Sequence, residues 1–208
     1  MTVRVGATPA GIVLAAGESS RLGQFKPLLP WPDGSDVPLV AYQVEQLVLA
    51  GVSPVVVVVG ARANEVRDAV VVAGAMVVVN SDYQSGKASS VRLGVAAAPP
   101  DRPLLIIGVD QPRTACFLQR LVRTPLLLQE IRVPSHAGHR GHPPIFGTAY
   151  RAELAAVDEA TAGLRSILRK HVDRIVHFET DDPQALVNIN TSEELEAARQ
   201  FARQNQRT

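Results

Sequence analysis

Short apolar runs alternate with segments of helical periodicity along most of the chain. Four runs end in glycine or in a polar residue, as buried strands of a parallel sheet do, and they span 10–16, 54–60, 75–80 and 103–110. The run of five valines at 55–59 is typical of a strand covered on both faces. Two weaker patterns predict strands over 131–134 and 174–178, on either side of a loop at 135–144 that is rich in Gly, His and Pro. Apolar spacing and capping signals predict helices over 38–50, 64–73, 85–98, 114–123, 148–157, 163–171 and 191–203.

Strands that alternate with helices favour an α/β fold with three layers, a Rossmann-like and mainly parallel sheet with helices on both faces. In such sheets, ligands bind at the carboxyl ends of the strands. Three polar or glycine-rich features follow predicted strands, namely the loop at Gly17, Asn80 and Asp110. We therefore expect these features to contribute to one site.

Composition limits the domain count and the classes of function. The chain has 208 residues, with no internal repeat and no Ser/Gly linker, so we expect a single domain over 1–208. Its 21 basic and 20 acidic residues give a net charge of +1, which argues against nucleic-acid and membrane partners. The one cysteine, Cys116, excludes an internal disulfide and a cysteine-rich zinc site, and we expect it to be a buried structural thiol. No apolar run reaches the ~18 residues of a membrane helix, and no signal peptide is apparent, so a cytoplasmic location is expected.

The segment 14–26, Leu-Ala-Ala-Gly-Glu-Ser-Ser-Arg-Leu-Gly-Gln-Phe-Lys, indicates an anion-binding loop. Gly17 follows a strand and lets backbone N–H groups approach an anion closely. Arg21 can bind phosphate oxygens through two N–H groups, and Lys26 can add a point charge. The spacing is neither that of a Walker A loop nor the Gly-x-Gly-x-x-Gly fingerprint of dinucleotide-binding proteins. The alternative is an ordinary turn that carries two solvated basic residues.

Oxygen and nitrogen ligands suggest two candidate metal sites. Asp110, at a predicted strand end, is a candidate Mg²⁺ ligand, although it could instead cap the following helix. His136, His139 and His142 are spaced three residues apart, which suggests zinc. They lie in a Gly-rich loop without a fourth ligand nearby, however, so zinc is the weaker hypothesis.

Six motifs together resemble the small nucleotidyltransferases related to the molybdenum cofactor cytidylyltransferase and guanylyltransferase. They are the string at 14–26, Asn80 with Gly86, Ser89 and Ser90, Gly108-Val-Asp-Gln-Pro112, Gly141-His-Pro-Pro-Ile-Phe146, Gly163-Leu-Arg-Ser-Ile-Leu168, and Asn188-Ile-Asn-Thr-Ser-Glu-Glu-Leu195. The resemblance covers nearly the whole chain. The Asp-Gln-Pro and Gly-His-Pro variants are closer to the cytidylyl branch than to the guanylyl branch.

The resemblance implies a nucleotide-diphospho-sugar-transferase-like fold and a Mg²⁺-dependent reaction. CMP would pass from CTP, a nucleoside triphosphate, to a phosphorylated pterin-type acceptor such as molybdopterin, and pyrophosphate would be released. A further implied partner is the molybdoenzyme that receives the cofactor. The implied catalytic residues are Arg21, Lys26 and Asp110, and the implied metal ligands are Asp110 and Asn188. The implied nucleotide-binding residues are Leu14, Ala15, Ala16, Gly17, Asn80, Gly86, Ser89 and Ser90, and the implied acceptor-binding residues are His142 and Pro143.

Asn188 and Asn190 depart from the family pattern, which often has aspartates at these two positions. A carboxamide oxygen can ligate Mg²⁺ without contributing charge, so we expect weaker metal binding than with two carboxylates. The pair could also simply form a turn before the terminal helix. The departure leaves two other functions open. One is an NAD(P)H-dependent oxidoreductase of the nicotine-blue-reductase type on the same scaffold, and the other is a cofactor carrier without catalysis.

Overall fold

The computed structural model describes residues 4–5, 8–19, 22–32, 34–71, 74–161 and 163–205. Its strands are β1 (Arg4–Val5), β2 (Ala10–Ala15), β3 (Val55–Val59), β4 (Met76–Val79), β5 (Leu104–Gly108), β6 (Leu126–Leu127), β7 (Ile131–His136), β8 (His139–Arg140), β9 (Ile145–Phe146) and β10 (Ile175–Glu179). Its α-helices are α1 (Leu39–Leu49), α2 (Ala63–Val71), α3 (Lys87–Ala97), α4 (Ala115–Val122), α5 (Arg151–Ala155), α6 (Leu164–Lys170) and α7 (Ser192–Asn205).

An eight-stranded sheet has the order β10-β7-β9-β5-β2-β3-β4, with β8 paired to β7. Strands β5, β2, β3 and β4 are parallel to one another in this path, and β10 is parallel to β7. Only the short β9, between β5 and β7, runs antiparallel along the path. The sheet is therefore mainly parallel, as predicted, and the carboxyl ends of β2, β3, β4 and β5 meet at one edge.

Helices cover both faces of the sheet and bury two separate apolar clusters. Successive residues of β2 point to opposite faces, so that Ile12 joins one cluster and Val13 the other. Val44 of α1 and Phe117 of α4 pack on the side of Val13, and Val91 of α3 packs on the side of Ile12. This arrangement confirms the three-layer α/β fold.

Capping residues in the sequence correctly predicted where α4 and α7 begin. Thr114 caps α4 by accepting a hydrogen bond from the Phe117 N–H. Thr191 and Glu194 form a capping box before α7, with side-chain to backbone distances of 3.2 and 3.1 Å.

Three expectations about local structure were wrong. The predicted loop at 135–144 contains the β7–β8 hairpin, in which Ala137 and Gly138 have positive φ angles of 49° and 78°. Two such residues in succession are typical of a type I′ turn. The predicted helix at 148–157 is a 3₁₀ turn, Thr148–Tyr150, followed by α5. Cys116 is exposed on α4 rather than buried, because it lies on the face of the helix opposite Phe117 and Leu118.

Among the residues described above, no helix is long and apolar enough to span a membrane.

Candidate active site

An open cleft of about 280 Å³ lies at the carboxyl edge of the sheet. Its walls come from residues at or after the ends of three parallel strands. They are Leu14, Ala16, Gly17 and Ser19 at the end of β2, Tyr83, Gly86, Lys87 and Ser90 after β4, and Gly108, Val109 and Asp110 at the end of β5. Lys26 and Asn190 complete the lining. The three features that the sequence assigned to one site thus do come to the same edge.

The loop after β2 brings Lys26 into the cleft. Ser19, with a positive φ of 60°, turns the chain, and its hydroxyl accepts a hydrogen bond from the Lys26 N–H at 3.1 Å. Gly17 lines the cleft, and no atom lies within 4 Å of the place where a Cβ would be. Leu14 and Ala16 also line the cleft, whereas Ala15 belongs to the apolar cluster on the face that α1 covers. Arg21 lies outside the described residues.

The turn after β5 fixes Asp110. A Cβ at Gly108 would overlap the Asp110 carboxylate, so only glycine lets this side chain fold back over the strand end. Gln111 accepts a hydrogen bond from the Gly108 N–H at 3.1 Å and donates one to the Asn188 side chain at 2.9 Å. The Ile189 N–H donates to the Asp110 carbonyl at 2.8 Å. Thr114 caps α4, so the alternative of Asp110 as its N-cap was wrong.

Lys26, Asp110 and Asn190 form a compact polar group. The Lys26 ammonium donates to Asn190 Oδ1 at 2.9 Å and lies 3.6 Å from Asp110 Oδ2. Lys26 is only 9% exposed. Asn190 lines the cleft, whereas the Asn188 side chain is held by Gln111 and by the Leu186 carbonyl at 3.2 Å. The ligand role of Asn188 stays a prediction, and the geometry favours Asn190 in its place.

The residues of the predicted Asn80 motif occupy two kinds of position: some line the cleft, and others support those residues from behind. Asn80 is 1% exposed, and its amide donates to Ser89 Oγ at 2.8 Å and to Ser90 Oγ at 2.9 Å. Ser90 and Gly86 line the cleft, while Asn80 and Ser89 lie behind them. Gly86 begins α3 with φ 115° and ψ 177°, a conformation that is essentially restricted to glycine. Asn80 thus orients the Ser90 hydroxyl from behind and joins the end of β4 to the start of α3.

Sequence reasoning missed Tyr83 and Lys87, which also line the cleft. Gly60, at the end of β3, makes room for Tyr83, since a Cβ there would lie 2.7 Å from its side chain. The Tyr83 hydroxyl donates to Glu18 at 3.3 Å and so links two walls of the cleft. The position of Lys87 directly after Gly86 was a usable signal, whereas no motif marked Tyr83.

The segment at His142 and Pro143, which the sequence predicts to bind the acceptor, is held by a buried arginine that sequence reasoning also missed. Arg113 is fully buried and donates to the carbonyls of Pro112, His142, Ala185 and Val187 at 2.8–3.1 Å. Burial lowers the pKa of Arg113 to about 9, which leaves it protonated at neutral pH. Burial, together with the positive charges of Arg113 and Lys87, lowers the pKa of His142 to about 4, so its imidazole is neutral. The cis bond between His142 and Pro143 lies in the same segment.

The three histidines do not gather around a common point. His136 Nδ1 lies 3.0 Å from the Thr180 carbonyl, and His139 is exposed at the tip of the hairpin. Within the ranges given above, no group of three or more His, Cys, Asp or Glu side chains could hold a metal ion. The cleft therefore offers a cation one carboxylate and one carboxamide, together with whatever oxygens a ligand brings.

The fold and the cleft define an α/β protein with a polar cleft at the carboxyl edge of a mainly parallel sheet. Residues 11–175 match the model of the MobA-like NTP transferase domain, and the chain belongs to this family.

Two characterised relatives have different activities. The chain is 30% identical to nicotine blue oxidoreductase of Paenarthrobacter nicotinovorans, over 89% of this chain and 93% of the relative. It is 31% identical to molybdenum cofactor cytidylyltransferase of Escherichia coli, over 64% of this chain and 66% of that relative, slightly less than two thirds of its length. A solved nucleotidyl transferase from Methanothermobacter superposes with a TM-score of 0.81 at 25% identity, covering 96% of this chain and all of the other.

Proposed function

We propose that the protein transfers CMP from CTP to a phosphorylated pterin-type acceptor such as molybdopterin, with Mg²⁺, and releases pyrophosphate. The observation that supports this most directly is the convergence of the Lys26 ammonium, the Asp110 carboxylate and the Asn190 carboxamide in one cleft. A leaving pyrophosphate gains negative charge, and fixed positive charge nearby lowers the barrier to its departure.

The proposed step needs little proton chemistry. An oxygen of the acceptor phosphate attacks the α-phosphorus of CTP, a new P–O bond forms, and the bond between the α-phosphorus and its bridging oxygen breaks. The electron pair leaves with pyrophosphate. Because the acceptor phosphate is already ionised at neutral pH, no strong general base is required, and the protein acts by positioning and charge neutralisation.

Lys26 and the backbone around Gly17 would hold the triphosphate, and the predicted role of Arg21 is to add charge there. Ser90, oriented by Asn80, can donate its hydroxyl hydrogen into the cleft. Lys87, at the start of α3, adds a second ammonium to the lining, and unlike Lys26 it is exposed. These groups suit a polyanionic nucleotide.

The residues present fit a divalent metal. The oxygens of Asp110 and Asn190 both lie within 4 Å of one atom, Lys26 Nζ, so they face a common point. Mg²⁺ prefers such oxygen ligands and is usually held by one or two protein groups plus substrate phosphates and water. Asp110 and Asn190 would hold the metal, and its positive charge would help to neutralise the triphosphate. Asn188 would then support this ligand pair through Gln111 instead of ligating the metal itself.

His142 and Pro143 would face the acceptor. The neutral imidazole of His142 can donate or accept a hydrogen bond without repelling Lys87 or Arg165, whose charges bear on it. A pterin acceptor, a receiving molybdoenzyme and a cytoplasmic location remain predictions that follow from the family resemblance and the sequence.

Pyrophosphate release tests the proposal. The protein is incubated with Mg²⁺, molybdopterin and each of CTP, GTP and ATP, and pyrophosphate is measured. We expect release with CTP, and its loss in Asp110→Asn, which keeps the shape of the side chain but removes its charge. The matched control is Asp68→Asn, an exposed aspartate of α2 away from the cleft. Absence of pyrophosphate with all three nucleotides would overturn the proposal.

A second candidate function is an NAD(P)H-dependent oxidoreductase. It is favoured by the relative from Paenarthrobacter nicotinovorans, of which this chain covers 93%. NADH and NADPH oxidation with quinone-like acceptors is followed in parallel. Cofactor oxidation that survives Asp110→Asn, without pyrophosphate release from the unmodified protein, would select this function over nucleotidyl transfer.

A further inference from the structure

The Lys26 ammonium lies at the point where the two proposed metal ligands converge. It donates to Asn190 Oδ1 at 2.9 Å and forms an ion pair with Asp110 Oδ2 at 3.6 Å. These are the oxygens that a divalent cation would need. A positive charge that belongs to the protein itself therefore lies beside both ligand oxygens.

Contacts of both the backbone and the side chain hold Lys26 in this position. Its N–H is fixed by Ser19, it begins the 3₁₀ helix Lys26–Leu28, and only 9% of the residue is exposed. A buried ammonium requires a compensating partner. In the part of the chain that the structure describes, Asp110 is the carboxylate paired with it. Asp110 therefore balances the charge of this ammonium.

We infer that Lys26 and the divalent metal compete for Asp110 and Asn190, so that the metal binds well only after a triphosphate has drawn the ammonium away. This inference rests on the metal-dependent function proposed above. A metal beside an unmoved Lys26 would face strong repulsion, because neither charge is well screened in a partly buried site. Phosphate oxygens give the ammonium an alternative partner, and the flexible lysine stem lets the group reach them.

The consequence is coupled binding of nucleotide and metal. In the free protein the carboxylate is neutralised without a metal, so the cleft has no strong need for one. A nucleotide that takes up Lys26 leaves Asp110 unpaired and, at the same moment, supplies the phosphate ligands that Mg²⁺ requires. Metal would therefore enter with the nucleotide or after it.

The test measures metal binding without nucleotide and without turnover. Mn²⁺ is titrated into the nucleotide-free protein, and free Mn²⁺ is followed by electron paramagnetic resonance. Lys26→Met removes the charge and keeps most of the side-chain volume, and Lys26→Gln also keeps an amide donor near Asn190. Should the Met variant not fold, the Gln variant carries the test. The matched control is Lys87→Met, which removes another ammonium from the same cleft that is not paired with either ligand oxygen.

We expect both Lys26 variants to bind Mn²⁺ at least about tenfold more tightly than the unmodified protein, and Lys87→Met to differ by less than about threefold. Thermal melting should agree, with Mn²⁺ raising the Tm of the Lys26 variants more than that of the unmodified protein. Equal affinities in the unmodified protein and the Lys26 variants would overturn the competition, and so would equal gains in the Lys26 and Lys87 variants.

The failures can be told apart. Normal pyrophosphate release with equal Mn²⁺ affinities would overturn the competition and leave the proposed function standing. Tighter Mn²⁺ binding by the Lys26 variants, with no pyrophosphate from any nucleotide, would support the competition and overturn the proposed function. Absence of Mn²⁺ binding in every variant would overturn the competition as well.

Discussion

Arg113 is the residue whose replacement should separate a structural role from a positioning role most clearly. It is fully buried, and its guanidinium donates to four carbonyls in three segments: its own turn, the acceptor segment at His142, and the segment at Ala185 and Val187 that leads to the proposed metal ligands. Arg113→Lys keeps the charge but replaces a planar fork with one nitrogen. A single ammonium cannot reach all three segments, so we expect it to retain one or two of the four hydrogen bonds.

The loss of two or three hydrogen bonds, each contributing about 1–1.5 kcal/mol net, should lower the free energy of unfolding by about 2–4.5 kcal/mol. For a protein of this size, 1 kcal/mol corresponds to about 2–4 °C, so the Tm should fall by about 4–18 °C. Circular dichroism melting and urea unfolding measure both quantities. A fall of less than about 2 °C would show that the carbonyls find other partners and would refute the assigned role.

Arg132 provides the matched control. It is 6% exposed and donates to the carbonyls of Leu121, Thr124 and Pro125 and to the Glu130 carboxylate, away from the cleft. Arg132→Lys should lower the Tm by a similar amount and leave kcat/KM for both substrates unchanged below its Tm. Arg113→Lys should in addition raise KM for the acceptor, because His142 loses its anchor. Equal kinetic effects in the two variants would mean that destabilisation alone explains them.

Three further predictions concern single residues of the cleft. Lys26→Ala should lower pyrophosphate release by the folded variant by at least about a hundredfold, and turnover close to normal in a steady-state assay would contradict its role. Gly86→Ala should lower the free energy of unfolding by about 1–3 kcal/mol, because φ 115° with ψ 177° strains any residue with a Cβ; urea unfolding measures this loss, and an unchanged midpoint would count against the strain. The pKa of His142 is lowered from 6.5 to about 4 in the folded protein. Between pH 4 and pH 6.5 the folded protein therefore binds fewer protons at this residue than the unfolded chain does. The contribution of His142 to stability is thus present above pH 6.5 and is lost as the pH falls towards 4. The loss should be at most about 3 kcal/mol and smaller in His142→Gln, as measured by unfolding at pH 4–7; identical pH dependence in the two proteins would contradict the assignment.

Elements with a strong period or a specific capping signal could be predicted from the sequence. The valine run at 55–59 became β3, and the Thr191–Glu194 capping box opens α7. Asp110 and Asn80 could be assigned to one edge because a parallel sheet brings its carboxyl ends together. The two-residue strand β9 could not be predicted, since two residues have no period and their pairing with β5 and β7 depends on the rest of the sheet.

Side-chain roles in the cleft depended on contacts that one sequence does not contain. A charged residue such as Arg113 is expected at the surface, and only three-dimensional packing shows that it is fully buried. The choice between Asn188 and Asn190 follows from Gln111, which binds the first and leaves the second facing Lys26. Gln111 stands beside Asp110 in the sequence, but its hydrogen bonds to Gly108 and Asn188 depend on the turn after β5.

The balance of charged groups in the cleft differs from that of the whole chain. The whole chain has a net charge of +1, which by itself predicts no attraction for a polyanion. Among the cleft residues that the structure describes, however, two ammonium groups, those of Lys26 and Lys87, accompany a single carboxylate, that of Asp110. Because the carboxylate is paired with Lys26, the Lys87 ammonium is the charge of this lining that the pair leaves over. A metal-free triphosphate can thus form ion pairs with the lysines on entry, whereas a free divalent cation would first have to displace Lys26, which is the order of binding that the competition for Asp110 and Asn190 requires.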